Sequence, residues 1–177
     1  MILGLDISTS VIGVCVLDNN IVVKTDYIDL RKVKGLFHKA QVVEEYFHSL
    51  DFNIEHVFIE QALMFFRSGG STAKTMAVLQ RFNGVVSWQC FKQFNIIPEY
   101  ISPISARSKC GIKVLRGKKA KEVVMEHFLA KDTPEFEIVK TRYGNIQTYC
   151  YDIADAIVVA RAGHYLLQES HKNAKNY

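Results

Sequence analysis

The amino-acid sequence predicts an α/β domain with a mixed five-stranded sheet, its first three strands antiparallel and the later ones parallel, flanked by helices. Three observations predict it. Three short apolar runs separated by turn residues fill the first thirty positions. After them the apolar spacing switches from every second residue to a helical 3.6, and the two patterns then alternate. No linker, repeat or low-complexity tract divides the 177 residues, so the elements belong to one core.

The elements follow in order. "MILGLDIS" is a short apolar run ending in a charge, "VIGVCVLD" a second, and after the turn pair Asn19-Asn20 comes "IVVKTDYIDL". "GLFHKAQVVEEYFHSL" sets Leu36, Phe37, Ala40, Val43, Tyr46, Phe47 and Leu50 at helical spacing. "EHVFIEQ" reads as a buried strand ending at Glu60. A loop with Gly69 and Gly70 leads to a long helix over 71–94, capped by Ser71 or Thr72. "IIPEYIS" is another short strand, and Pro103 starts a brief helix. "KKAKEVVMEHFL" is a further amphipathic helix. Residues 131–150, with Pro134 and Gly144, read as irregular or hairpin-like, and a closing helix begins near Asp152. The domain spans 1–168, and 169–177 form a polar tail expected to fray.

Composition excludes several classes. With 49% apolar and 23% charged residues the chain is an ordinary globular sequence, neither disordered nor collagenous. No apolar run reaches membrane-spanning length, and the start lacks the basic flank and cleavage site of a signal peptide; a cytoplasmic or organelle-matrix location is expected, with no membrane partner. Cys15, Cys90, Cys110 and Cys150 form no C-x-x-C pair, and the six histidines show no ligand spacing, so reduced thiols and no zinc site are expected. The net charge of +4 is modest, but "RSKCGIKVLRGKKAK" (107–121) holds seven cations and no acid. Such a stretch attracts a phosphate backbone, or else is a solvated face.

Four acids stand at odd places: Asp6 ends the first strand, Glu60 ends the fourth, and Asp152 with Asp155 lies in an otherwise apolar helix. Neighbouring strand ends open onto one crevice, and helical residues three apart share a face. Taken singly, Asp152 and Asp155 are explained as partners of a helix N-terminus, worth ~0.3–1 kcal/mol. Together, four close carboxylates would repel one another unless cations neutralise them. Oxygen ligands suit Mg²⁺ or Mn²⁺, and two such ions ~3.5–4 Å apart suit displacement at phosphorus.

The order β-β-β-α-β-α-β-α, with "ILGLDIST", "FIEQALMF", "AKTMAVLQRFNGVV", "IPEYISPISARSKC" and "YDIADAIVVA", resembles the RNase H-like (retroviral integrase-like) nuclease superfamily, and within it the RuvC-type Holliday junction resolvases. The resemblance covers about residues 1–168 and implies an RNase H-like fold. It makes Asp6, Glu60, Asp152 and Asp155 the metal-binding acids, with two Mg²⁺ ions (Mn²⁺ as substitute), and Lys121 the lysine that approaches the scissile phosphate. The implied activity is that of a crossover junction endodeoxyribonuclease, which makes paired nicks with 5′-phosphate ends in four-way junctions. Branched DNA would be gripped by Arg107, Lys109, Lys113, Arg116, Lys118 and Lys119. The loop "LMFFRSGG" would add Phe65 or Phe66, stacking on a base or else packed beneath the loop, and Arg67, with Lys74 and Arg81 on the next helix. Paired cuts imply a homodimer, for which Ala73, Met76, Ala77, Gly84, Val85 and Trp88 offer a close-approach face; internal packing is the alternative.

Two features depart from the family. Ile7-Ser8-Thr9 replaces the Pro-Gly-Ser usual after the first Asp in bacterial members, and 131–150 is longer than the corresponding connection. Three rivals differ in kind. A sugar-kinase-like nucleotide fold is suggested by "GLDISTS" but needs a second lobe; the others are a non-catalytic branched-DNA module and a nuclease acting on flaps, forks or hybrids.

Overall fold

Strand alternation divides the apolar residues between two faces of one sheet. The computed structural model describes residues 1–62, 73–130 and 135–174. β1 (Ile2–Ile7), β2 (Val11–Asp18) and β3 (Ile21–Asp29) form an antiparallel meander. β4 (His56–Glu60) and β5 (Glu99–Ile101) continue it in parallel, giving the order β3-β2-β1-β4-β5. The β2–β3 connection is the Asn19-Asn20 pair, both at positive φ (45° and 67°), as a two-residue hairpin of this hand requires.

α1 (Leu36–Ser49) and α2 (Ala73–Phe94) cover one face. There Leu3, Leu5, Ile7, Val14, Val57 and Ile59 meet Val43, Phe47, Phe82 and Val86. α3 (Pro103–Lys109), α4 (Ala120–Leu129) and α5 (Thr148–Ala174) cover the other, where Ile2, Cys15, Leu17 and Phe58 meet Val124, Phe128, Ile153, Ala156 and Ile157. Each large apolar side chain so buried contributes about 1.5–3 kcal/mol. α3 begins as its sequence indicates, with Pro103 in the first turn and the Ser102 hydroxyl accepting the Ser105 N–H at 3.1 Å. The caps expected at Ser71 or Thr72 lie outside the described residues.

α5 is longer than its sequence pattern suggests. It starts at Thr148, not near Asp152, and runs to Ala174, taking up most of the polar tail expected over 169–177. Its polar ends carry no apolar period to mark them, which is why the apolar stretch alone misplaces both boundaries. Among the described residues no helix is long and apolar enough to cross a membrane. All four cysteines are free thiols, and Cys15, Cys90 and Cys150 are buried.

Candidate active site

The site starts from strand parity. Successive residues of a strand face opposite sides, so the residues that send Leu5 and Ile59 towards α1 and α2 send Asp6 and Glu60 towards α5. The β1–β4 register pairs Leu5 with Ile59 and so sets Asp6 and Glu60, the next residues, side by side at the carboxyl ends of their strands. On the other side of Asp6 the register partner is Gly13. A Cβ at Gly13 would lie 2.0 Å from the Asp152 carbonyl oxygen, and one at Gly4 would lie 2.6 Å from that of Ala156. These two glycines let α5 lie directly on β1 and β2, which no larger residue permits.

Because α5 starts at Thr148, Asp152 and Asp155 sit in its second turn and beyond, and no acid occupies its first turn. The helix N-terminus therefore does not account for them. What they meet instead is Lys121, near the start of α4. Its Nζ lies 2.7 Å from Asp152 Oδ1, 3.7 Å from Asp155 Oδ2 and 3.9 Å from Asp6 Oδ2. The carboxylates are little exposed (14%, 16% and 7% for Asp6, Asp152 and Asp155), whereas the lysine side chain is 56% open to solvent. One cation thus approaches three anions from the solvent side.

Burial dominates the charge balance. It raises Asp6 to about 7, with Asp155 and Asp152 adding repulsion that Lys121 partly offsets. Glu60 rises to about 9 through burial, then through Asp6 and Asp155. Asp155 rises to about 6, again chiefly by burial, with Lys121 and Arg107 opposing. For Lys121 burial acts to lower its pKa, but the surrounding carboxylates outweigh it and hold the ammonium above the usual lysine value. Three carboxylates, Asp6, Glu60 and Asp155, pressed towards protonation by burial and by neighbouring charge form a site short of positive charge.

Among the described residues no group of three or more His, Cys, Asp or Glu side chains is drawn into a ready metal cage. Lys121 stands among the carboxylates instead. The donor set nevertheless fits hard divalent ions: every available ligand is a carboxylate oxygen, and the cluster carries more negative charge than one ammonium balances.

The other predicted residues are placed as follows. Lys113, Arg116, Lys118 and Lys119 are exposed on the α3–α4 connection, with Lys119 3.0 Å from Glu122. Lys109 turns to α5, its Nζ 2.6 Å from Glu169 Oε1. Arg107 is half-buried, and its charge weakly opposes the rise of the Glu60 and Asp155 pKa values, an electrostatic role that its place in a basic run did not reveal. Lys74 and Arg81 are exposed on α2. Phe65, Phe66 and Arg67 lie outside the described residues. Of the proposed close-approach residues on α2 none is buried; Phe82, Asn83, Val86, Gln89 and Cys90 do the internal packing. Sequence reasoning missed Gly4 and Gly13, for which a glycine inside each of two consecutive apolar strands was the available signal.

No protein-family model matches the chain, and no curated protein matches it in sequence. Solved structures do match. Thermus thermophilus RuvC in complex with a Holliday junction substrate superposes with a TM-score of 0.67 at 12% identity, over 95% of this chain and 94% of that one. A second Thermus thermophilus RuvC structure gives 0.62 at 13% identity, with 96% of both chains covered. The yeast mitochondrial Holliday junction resolvase Ydc2 gives 0.58 at 16% identity, over 91% of this chain and 76% of that one. Strand order, the antiparallel-to-parallel change and the layer arrangement thus have one reading: the chain carries the RNase H-like fold in the form found in RuvC-type resolvases.

Proposed function

We propose that this chain is a divalent-metal-dependent nuclease that resolves four-way DNA junctions by paired phosphodiester hydrolysis. The observation that carries the reading is the meeting of Asp6, Asp152 and Asp155, from opposite ends of the sequence, around one lysine ammonium, with Glu60 beside them. A fold needs no such cluster for stability, since each buried carboxylate is costly there.

Asp6, Glu60, Asp152 and Asp155 would hold two Mg²⁺ ions, or Mn²⁺ in their place. Such ions, when bound, activate water and stabilise charge on attacking and leaving oxygens. The chain's own contributions are separable. The carboxylates are the ligands, held in place by the strand ends of β1 and β4 and by α5 packed on the sheet. Lys121, released from Asp152, offers an ammonium to the negative charge that grows on the scissile phosphate, where it stabilises the transition state more than the ground state. Cleavage leaves 5′-phosphate nicks. The exposed Lys113, Arg116, Lys118 and Lys119 neutralise the backbone on either side.

Two symmetric cuts call for a C2 dimer. The outer face of α2 suits one: Trp88 is 62% exposed, packs against Phe91 with ring centroids 5.7 Å apart, and has the open Gly84 one turn before it. Incubation of the chain with labelled four-way, flap, fork and hybrid substrates, in Mg²⁺ and in chelator, tests the proposal. The expected result is symmetric nicking of the four-way substrate in Mg²⁺ only. Preference for flaps or forks would reassign the substrate, and no cutting of any of them would leave at most a branched-DNA binding module.

A further inference from the structure

Residues 135–147 lie between α4 and α5 and take no part in the carboxylate site, yet their backbone is well tied. Thr141 N–H bonds Asn145 O at 2.7 Å, Gly144 N–H bonds Thr141 O at 2.9 Å, and Gln147 N–H bonds Val139 O at 2.9 Å. Lys140 and Ile146 pair across the two limbs. The result is a short hairpin whose turn is closed by Gly144 at φ 81°, a value that favours glycine. Ile138, Val139 and Ile146 anchor its base on the α5-side core, and the buried Cys150 thiol on α5 donates to Val139 O at 3.8 Å.

The tip shows a different chemistry. Tyr143 is 74% exposed, and the Arg142 guanidinium carbon lies 4.6 Å from its ring centre, with an Arg142 N–H also donating to the Tyr143 hydroxyl. From Ile138 to Tyr151 the sequence holds two cations, three tyrosines and no acid. The Tyr143 ring fills no core, and its exposed face leaves it open to a flat partner beside the Arg142 guanidinium. The hairpin's second limb runs straight into α5, and Asp152 follows Tyr143 by nine residues. A rigid, cationic, aromatic tip is therefore fixed to the element that carries half of the carboxylates.

We infer that the 139–147 hairpin is a nucleic-acid contact, in which Lys140 and Arg142 hold a phosphodiester backbone and Tyr143 stacks on a base left unpaired beside the cleavage site. The inference rests on the proposed function and adds a contact carried by a segment separate from the α3–α4 basic connection. Phosphate neutralisation and base–aromatic stacking together are the usual means by which proteins hold single-stranded segments. A protein partner would be matched poorly by a small tip with two like charges and one ring.

The test uses the full chain and a four-way junction carrying 2-aminopurine at the crossover, bound in chelator so that no strand is cut. Tyr143→Ala is expected to weaken binding about ten-fold or more and to relieve quenching of the fluorescent base, while Tyr143→Phe keeps both. Arg142→Ala is expected to lower the slope of log affinity against log salt by about one. Circular dichroism of each variant checks that the fold is intact. Binding and quenching unchanged in both Tyr143→Ala and Arg142→Ala, with the unmodified chain binding well, overturns the hairpin contact alone. Failure of the unmodified chain to bind any DNA overturns the proposed function and this contact with it.

Discussion

Gly13 lies directly beneath the backbone of Asp152: a methyl group at the glycine would stand 2.0 Å from that residue's carbonyl oxygen. Since Gly13 is also the register partner of Asp6, one missing side chain sets the distance between Asp6 and Asp152. Gly13→Ala must push α5 off the sheet. Overpacking of this kind costs about 1–3 kcal/mol, or roughly 2–12 °C in Tm for a chain of this size. Thermal unfolding checks it, and an unchanged Tm would mean that α5 does not rest on β2 at this point.

Removing one acid is expected to separate activity from stability. In the metal-free chain Asp6 is buried among like charges, so Asp6→Asn relieves repulsion and should raise Tm by about 2–4 °C, corresponding to ~1 kcal/mol. The same variant should lose Mg²⁺-dependent cutting while still shifting a junction in a gel. Retained cutting would remove Asp6 from the proposed chemistry.

The pH dependence follows in sign from the raised carboxylates. Asp6, Glu60 and Asp155 have folded values of about 7, 9 and 6, above their unfolded values of 3.8, 4.5 and 3.8. Between the unfolded and folded values the native state binds more protons, so stability falls as pH rises through that window. Without divalent metal, these groups should make the chain less stable at pH 8 than at pH 5. Added Mg²⁺ should narrow the gap by stabilising the pH 8 sample more. Denaturant titrations at both pH values, with and without Mg²⁺, measure this; a Mg²⁺ effect of equal size at both would contradict it.

Lys121 makes opposite predictions for binding and turnover. Its ammonium lies against Asp152, so Lys121→Ala removes a competitor for the carboxylates, and calorimetry should show tighter Mg²⁺ binding. Loss of a charge beside the phosphate should meanwhile slow cutting by about 100-fold or more, the effect of removing one transition-state donor. Weaker Mg²⁺ binding would show that the lysine supports the site instead of competing for it.

Charge neutralisation on the α3–α4 connection bears on DNA alone. Lys118→Gln with Lys119→Gln should reduce the salt slope of junction binding by about one per lost phosphate contact, leaving Tm nearly unchanged because both side chains are exposed. An unaltered slope would mean that these lysines face only solvent.

Much of this was legible in the sequence because the signals were periodic. Strand parity and the change to helical spacing locate β1 to β4, α1, α3 and α4, and the acids stood out by interrupting apolar runs. The rest depended on contacts that no local pattern encodes. The start of α5 at Thr148 lies in a polar stretch whose helicity comes from packing: Tyr149 stacks on Tyr27 at 4.0 Å, and Cys150 is buried. Lys121 emerged from a resemblance, but its place between three carboxylates depends on how α4 leans on α5. Arg107 looked like one cation of a basic run, whereas α3 holds it half-buried and near enough for its charge to act on Glu60 and Asp155. Gly4 and Gly13 could be noticed in the sequence, but what they make room for could not.

The sheet separates two cores that share only its backbone, and Gln89 ties the far one together helix to helix: its buried amide on α2 donates to the Ala40 carbonyl of α1 at 2.6 Å. Substitutions on the outer face of α2 are therefore free to accumulate without disturbing the packing that holds the carboxylates on the opposite layer. One small domain thus offers two layers that can change independently, one bearing the acids and one bearing an outward helix.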